Sequence, residues 1–185
     1  DDITLEKFSD KALLNGDFET GNKNDLYSWH LTSKTIKNET NNYNYDRDYI
    51  LKQESNGYHG NCASLEKKGA GYVTLDSNMI KVTDGATYFL DYALKITGAG
   101  ATFQGVRAII GEYDASRKLI QTVNLNDLIK VNTDWREFSV SYTPTKNVKY
   151  IQLEFFAGDY GGAATTFKVY FDDIRLKVIE RNNKD

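Results

Sequence analysis

The feature that most constrains this chain is a rhythm. From Leu13 onward, short runs rich in Val, Ile, Tyr, Phe and Thr are separated by clusters of Gly, Asn and Asp. Such runs read as strands and their separators as turns. No twelve-residue amphipathic stretch interrupts them, so there is no βαβ alternation to build a parallel sheet. The runs predict strands over 13–19, 27–33, 48–53, 62–67, 71–75, 78–82, 87–97, 103–113, 118–123, 135–142, 148–156 and 166–178. An all-β antiparallel sandwich is the fold this pattern predicts.

The chain has 185 residues, enough for one domain with a substantial core of its own. The pattern divides it into a short helix or linker over 1–12, where Leu5 and Phe8 stand at helical spacing, a sandwich over 13–178 and a linker over 179–185. Charges of both signs are scattered and sum to −3, which argues against nucleic acid as a partner. The single cysteine, Cys62, has no partner for an intrachain disulfide and sits beside Ala63 and Leu65 like a small core residue. No apolar run approaches the roughly 20 residues of a membrane-spanning helix. Polar residues at both ends read as those of a segment tethered within a longer chain, and the segment is expected to be monomeric.

Alternation assigns faces to the strongest strands. Tyr88, Leu90, Tyr92, Leu94 and Ile96 fall on one side of their strand and Phe89, Asp91 and Lys95 on the other. Ile151, Leu153 and Phe155 likewise alternate with Gln152, Glu154 and Phe156. The first set of each predicts core, and the second predicts an outward surface of rings and polar groups. The strand between them in sequence adds Arg107 or Glu112 to that surface, depending on its register. Segment 37–61 interleaves Asn38, Asn41, Asn42 and Asn44 with Tyr43, Tyr45 and Tyr49, and ends in Asn56-Gly57-Tyr58-His59-Gly60-Asn61. Its tyrosines, including Tyr58, and Tyr160 on the Gly-flanked 157–163 tip, are expected to wall a groove. His30 and His59 have no further His or Cys at metal spacing, which disfavours zinc.

The two ends of the chain carry related signatures. Leu13-Leu14-Asn15-Gly16-Asp17-Phe18-Glu19-Thr20-Gly21 opens the sandwich and Val169-Tyr170-Phe171-Asp172-Asp173-Ile174-Arg175-Leu176 closes it. Between them, in order, stand Trp29, Gly60-Asn61-Cys62-Ala63-Ser64-Leu65, Asp84-Gly85-Ala86-Thr87-Tyr88-Phe89-Leu90, Trp135-Arg136-Glu137-Phe138 and Tyr142-Thr143-Pro144. This order resembles the jelly-roll carbohydrate-binding modules of secreted polysaccharide-degrading enzymes, those of the xylan-, glucan- and hyaluronan-binding kinds, across about residues 13–178. The resemblance implies a structural Ca²⁺ held by Asp17, Glu19 and Asp172 or Asp173, with the first and last strands side by side. It also implies that Trp29 and Trp135 pack in the core. A module with so few tryptophans is expected to hold a soluble single glycan chain rather than a crystalline polysaccharide.

The function implied is non-catalytic binding of a polysaccharide or oligosaccharide chain through Phe89, Asp91, Lys95, Arg107, Gln152, Glu154, Phe156, Tyr160, Tyr43, Tyr45 and Tyr58. The setting implied is secreted or cell-surface, in a bacterium. A receptor-binding or protein-interaction domain of a toxin, adhesin or surface protein is the alternative on the same sandwich. An enzyme is disfavoured. The nearest text to a Glu-x-Asp-x-x-Glu glucanase strand is Glu112-Tyr113-Asp114-Ala115-Ser116-Arg117, which lacks the second catalytic carboxylate.

Overall fold

The computed structural model describes residues 8–9, 13–23, 26–32, 49–69, 71–158 and 165–179. They form β1 (Phe8–Ser9), β2 (His30–Thr32), β3 (Tyr49–Glu54), β4 (Cys62–Gly69), β5 (Tyr72–Lys81), β6 (Thr87–Thr97), β7 (Gly105–Tyr113), β8 (Leu119–Asn124), β9 (Thr133–Tyr142), β10 (Tyr150–Gly158) and β11 (Thr165–Ile179), with no helix among them. Sheet one has the order β3-β4-β11-β6-β9, with β1 also paired to β11; sheet two has the order β2-β5-β10-β7-β8. Every strand pairing is antiparallel. The fold is therefore the jelly-roll β-sandwich that the strand rhythm and the motif order predict.

The core lies between the sheets, and alternation fills it. Tyr88, Leu90, Tyr92, Leu94 and Ile96 on β6 meet Ile151, Leu153 and Phe155 on β10, all buried. Phe155 is the hub: its ring packs against Tyr92 at 5.0 Å, Phe171 at 4.8 Å and Trp29 at 6.4 Å. Full burial of each such side chain stabilises the fold by about 1.5–3 kcal/mol.

Four expectations about elements are corrected. Residues 71–75 and 78–82 are one strand, because a bulge absorbs the interruption. The register on β10 shifts between Gln152 and Glu154, and Ser77 fills the irregularity, its Oγ accepting from the Leu153 amide at 3.0 Å. Within 1–12, the backbone of Phe8–Ser9 pairs with Ile179 and Val178, so this piece is an edge strand rather than a helix or linker. β11 accordingly runs to Ile179, one residue into the expected linker.

The fourth correction concerns 13–19, which is a looped turn. Asn15 and Phe18 both have positive φ, 51° and 53°. The Asn15 amide group donates to the Thr20 and Tyr27 carbonyls at 2.8 and 2.9 Å and accepts from the Thr20 amide at 2.9 Å. Asn is among the few residues that tolerate this conformation, and its side chain competes with a ladder for backbone partners. The loop still docks on the last strand: the Ile174 amide donates to the Gly16 carbonyl at 2.9 Å, and a Cβ on Gly16 would collide with the Ile174 backbone. Trp29 pins the same loop from below, its indole N–H reaching the Leu14 and Asn15 carbonyls at 3.1 and 2.9 Å.

Candidate functional site

The two expected outward surfaces lie on opposite sides of the molecule. β6 belongs to sheet one, whereas β7 and β10 belong to sheet two. Because both strands turn their apolar residues to the shared core, their alternate residues point away from each other. Phe89, Asp91 and Lys95 therefore occupy one broad face and Arg107, Gln152, Glu154 and Phe156 the other, and no single groove joins them. Tyr43, Tyr45 and Tyr160 lie outside the described residues.

On sheet two the register places Arg107 opposite Phe156 and Asp76 opposite Glu154. Phe156 is sandwiched between the Tyr72 ring at 5.1 Å and the Arg107 guanidinium at 5.9 Å. The Tyr113 hydroxyl donates to Gln152 Oε1 at 3.0 Å, and Gln152 Nε2 donates to the Ser77 carbonyl at 2.7 Å. Burial, then the Glu154 and Asp76 carboxylates, push the Tyr113 hydroxyl up to about 12. Phe156 and Glu154 are 1 % exposed and Asp76 3 %. The middle of this outer layer, expected to be solvent-facing, is instead buried, with Arg107, Tyr72 and Tyr113 half-buried around it.

The same register turns Glu112 inward, where it serves the scaffold. It accepts from the Tyr142 hydroxyl of sheet one, from the Thr145 amide at 3.0 Å and Oγ1 at 2.7 Å, and from Gln121 Nε2 at 2.7 Å. Burial alone would raise its pKa, but these four donors outweigh it and hold the carboxyl below its ordinary value. Asp114 accepts from the Ser116 and Lys118 amides at 2.8 and 2.9 Å and so closes the hairpin turn.

Sheet one presents the wetter face. Tyr170 stands beside Lys95 in the ladder, and the Lys95 and Lys168 ammonium groups lie 5.9 and 5.0 Å from its ring centre. Trp135 approaches Tyr170 at 6.2 Å and Tyr58 at 5.9 Å, and Tyr58 in turn packs on His59 at 4.5 Å. All three rings are half-buried. Charges around them are paired: Lys168 with Glu54 at 2.5 Å, Lys95 with the exposed Asp134 at 3.6 Å, and Lys177 with Asp91 at 2.7 Å. Asp91 also accepts from Ser139 Oγ at 2.6 Å; burial opposes its ionisation, but Lys177 and Ser139 hold its pKa below the usual value.

Trp135 is thus not a core anchor. Trp135 stands at the register irregularity between Arg136 and Thr133 and meets Tyr170, which alternation turns outward between buried Val169 and Phe171.

At the chain ends, Glu19 and Asp172 grip one turn, 57–61. Glu19 accepts from the Asn61 amide at 2.6 Å and from Asn61 Nδ2 at 2.7 Å. Fully buried Asp172 accepts from the His59 amide at 2.8 Å and from the Asp173 amide at 2.7 Å. Gly57 is obligatory here, since a Cβ would lie 2.6 Å from Asp172 Oδ2. Burial raises the Asp172 carboxyl to about 6 against the pull of these N–H donors. Asp173 points elsewhere, to His59 Nδ1 at 2.5 Å and Arg175 at 3.2 Å.

Asp17 does not join the pair. It accepts from the Glu19 amide at 3.3 Å and lines a separate depression with Leu13, Ile174 and Arg175. The strand on which Asp17 and Glu19 would share a face does not form. Among the described residues no three His, Cys, Asp or Glu side chains group as metal ligands. Calcium takes main-chain carbonyls as well as carboxylates, and the Glu19 and Asp172 oxygens that could serve it each accept from an N–H group here. The two carboxylates, one of them buried with its charged form disfavoured, hold opposite ends of the same turn.

No family model matches this chain, and no curated protein does. Solved structures match in fold. The enzymatically active domain of tailspike protein 4 from bacteriophage CBA120 aligns at a TM-score of 0.64 and 11 % identity, over 91 % of this chain and 21 % of that one. The CBM22-1 xylan-binding domain of Paenibacillus barcinonensis Xyn10C aligns at 0.61 and 11 %, over 89 % and 92 %. TmCBM61, solved with β-1,4-galactotriose, aligns at 0.54 and 14 %, over 91 % and 98 %. The chain thus spans about a fifth of the tailspike domain and nearly all of either binding module. It shares the jelly-roll β-sandwich fold with these structures.

Proposed function

We propose that this chain is a non-catalytic carbohydrate-binding module that holds a polysaccharide or oligosaccharide chain and keeps a linked catalytic domain close to its substrate. The observation that carries the reading is the outer face of sheet one, where half-exposed rings stand among paired carboxylates and ammonium groups. A sugar is amphipathic: its C–H faces need rings and its hydroxyls need planar or charged hydrogen-bonding groups, and this face offers both. The fold shared with modules solved as xylan and galactotriose binders supports it. Tethering to a catalytic domain raises effective concentration without any new chemistry. The setting that suits such a module is extracellular, and among the described residues no helix is long and apolar enough to cross a membrane.

Catalysis has no place in this reading, because the acids of the one glucanase-like motif are committed to the scaffold: Glu112 to Tyr142, Thr145 and Gln121, Asp114 to its own turn. A calcium ion is proposed to be held by Glu19, Asp172 and oxygens of turn 57–61, in place of the Asp17, Glu19 and Asp172 set. Its role is to neutralise buried negative charge and fix the N-terminal loop to β11. Affinity electrophoresis through gels containing single polysaccharides tests the function. Retardation by at least one is expected; unaltered mobility in every gel rejects it.

A further inference from the structure

The geometry points to the binding platform itself: we infer that Tyr58, Trp135 and Tyr170 form a continuous ring strip that takes a single twisted chain of neutral pyranoses. The inference rests on the module reading above and assigns its site and ligand class. The strip is assembled from three separate parts of the chain. Tyr58 comes from the turn after β3, Trp135 from the start of edge strand β9 and Tyr170 from central β11. Trp135 is the middle ring, with neighbours at 5.9 and 6.2 Å.

Nothing in folding demands this arrangement. The sandwich core closes without these rings, and outward positions of antiparallel strands are ordinarily polar. Large rings left half-exposed in a contiguous group mark a recognition surface rather than a packing need. On sheet two the central ring, Phe156, is 1 % exposed, and among the described residues no ring contact links the half-buried Tyr72, Tyr113 and Tyr150 into one strip.

Shape and charge narrow the ligand. The interplanar angles along the strip are 48° and 60°, so no flat plane runs across it. A crystalline polysaccharide needs coplanar rings; an individual chain that rotates between units does not. The two cations on Tyr170 are each matched by an acid, Lys168 by Glu54 and Lys95 by Asp134. A uronate or sulfate chain would have to compete with Glu54 and Asp134 for these two ammonium groups, whereas hydroxyl groups find donors and acceptors on both sides. Lys95 and Asp134 also border an open depression of about 420 Å³ beside Thr97 and Asn132, room for a substituent branching from the chain.

The test uses the intact protein in gels of xylan, mixed-linkage β-glucan, β-1,4-galactan and polygalacturonate. For the polysaccharide that retards it, Trp135→Ala and Tyr170→Ala are each expected to weaken binding about tenfold, equivalent to about 1.4 kcal/mol. His30→Ala, on the opposite face, should bind as the wild type. Should Trp135→Ala fail to fold, the wild-type protein still decides: of its two tryptophans, Trp29 is buried, so bound oligosaccharide must shield Trp135 from acrylamide quenching. Wild-type retardation with both ring variants unimpaired, or with no shielding, overturns the platform and leaves the module reading standing. Retardation by polygalacturonate alone overturns the neutral-chain assignment. No retardation in any gel removes the module reading and the platform with it.

Discussion

The outer faces of the two sheets obey the same alternation and reach opposite states. β6 and β10 both turn aromatic and aliphatic residues to the core, and both leave polar residues and a ring on the far side. On sheet two the middle of that far side is closed: Phe156, Glu154, Asp76 and Thr74 are buried, with Arg107, Tyr72, Tyr113 and Tyr150 half-buried around them. On sheet one it stays half-open, with Trp135, Tyr170, Lys95 and Asp91 partly in solvent. Period-two patterning tells which side of a strand a residue takes, but not whether that side is covered. A residue can therefore be outward-facing and still belong to the stabilising interior.

The sharpest way to break this contrast is to truncate one ring on each side. Phe156→Ala should destabilise the protein by about 3–5 kcal/mol, the usual effect of emptying a buried aromatic site. Tyr170→Ala should fall well below that, since its ring already meets water. Urea unfolding measures both. A Phe156→Ala variant no less stable than Tyr170→Ala would show that sheet two's outer stratum is not packed as described.

Much of the fold was legible because patterning and turn chemistry agreed. The β6 face, the β10 face and the closing strand were readable residue by residue. The site was less so, for three physical reasons. Sheet membership depends on strand order, which alternation does not encode, so Lys95 and Glu154 were expected together although they stand on opposite sides. Asn15 and Phe18 take left-handed backbone, which converted an alternating strand text into a loop and moved Asp17 away from Glu19. Trp135 departs from the packing role that the resemblance implies because it stands at the irregular start of β9, where its ring meets Tyr58 and Tyr170 outside the core.

Cation removal probes sheet one alone, because Glu19, Asp172 and turn 57–61 all bear on β11 and β4. A ligand present at 100 times its dissociation constant stabilises the folded state by about 2.7 kcal/mol. EDTA should lower the melting temperature, and added calcium should restore it. Tyr58 rides on the same turn, so chelation should also weaken glycan binding a fewfold. An unchanged melt would leave Asp172 a buried acid without a cation, and the proposed clamp would fall.

A smaller effect, of roughly 2 kcal/mol for hydrogen bonds to a charged group, is expected where the sheets are tied together by Glu112. Its folded-state pKa lies below the ordinary 4.5. The ionised carboxylate thus contributes stability that is fully present above the unfolded value and is lost as pH falls through the folded one. Glu112→Gln should lower stability at pH 7 and flatten the acid limb of the stability curve. A wild-type acid limb of unchanged steepness in the variant would assign that limb to other carboxylates.

The smallest effect belongs to the ion pair that distinguishes the open face most directly. Lys168 and Glu54 meet at 2.5 Å, with Ser64 Oγ donating to the same Glu54 oxygen at 2.7 Å, yet their side chains keep 27 % and 30 % exposure. Burial alone would move both groups toward neutrality; their mutual contact reverses this, lowering Glu54 and raising Lys168. Solvent screening at this exposure limits the coupling to about 0.5–1 kcal/mol, falling with added salt. A double-mutant cycle of Glu54→Gln and Lys168→Met at low and high salt reads that coupling. A salt-independent value of several kcal/mol would mean that sheet one's outer face is as closed as sheet two's, and the ring strip beside the pair would then have no solvent from which to draw a ligand.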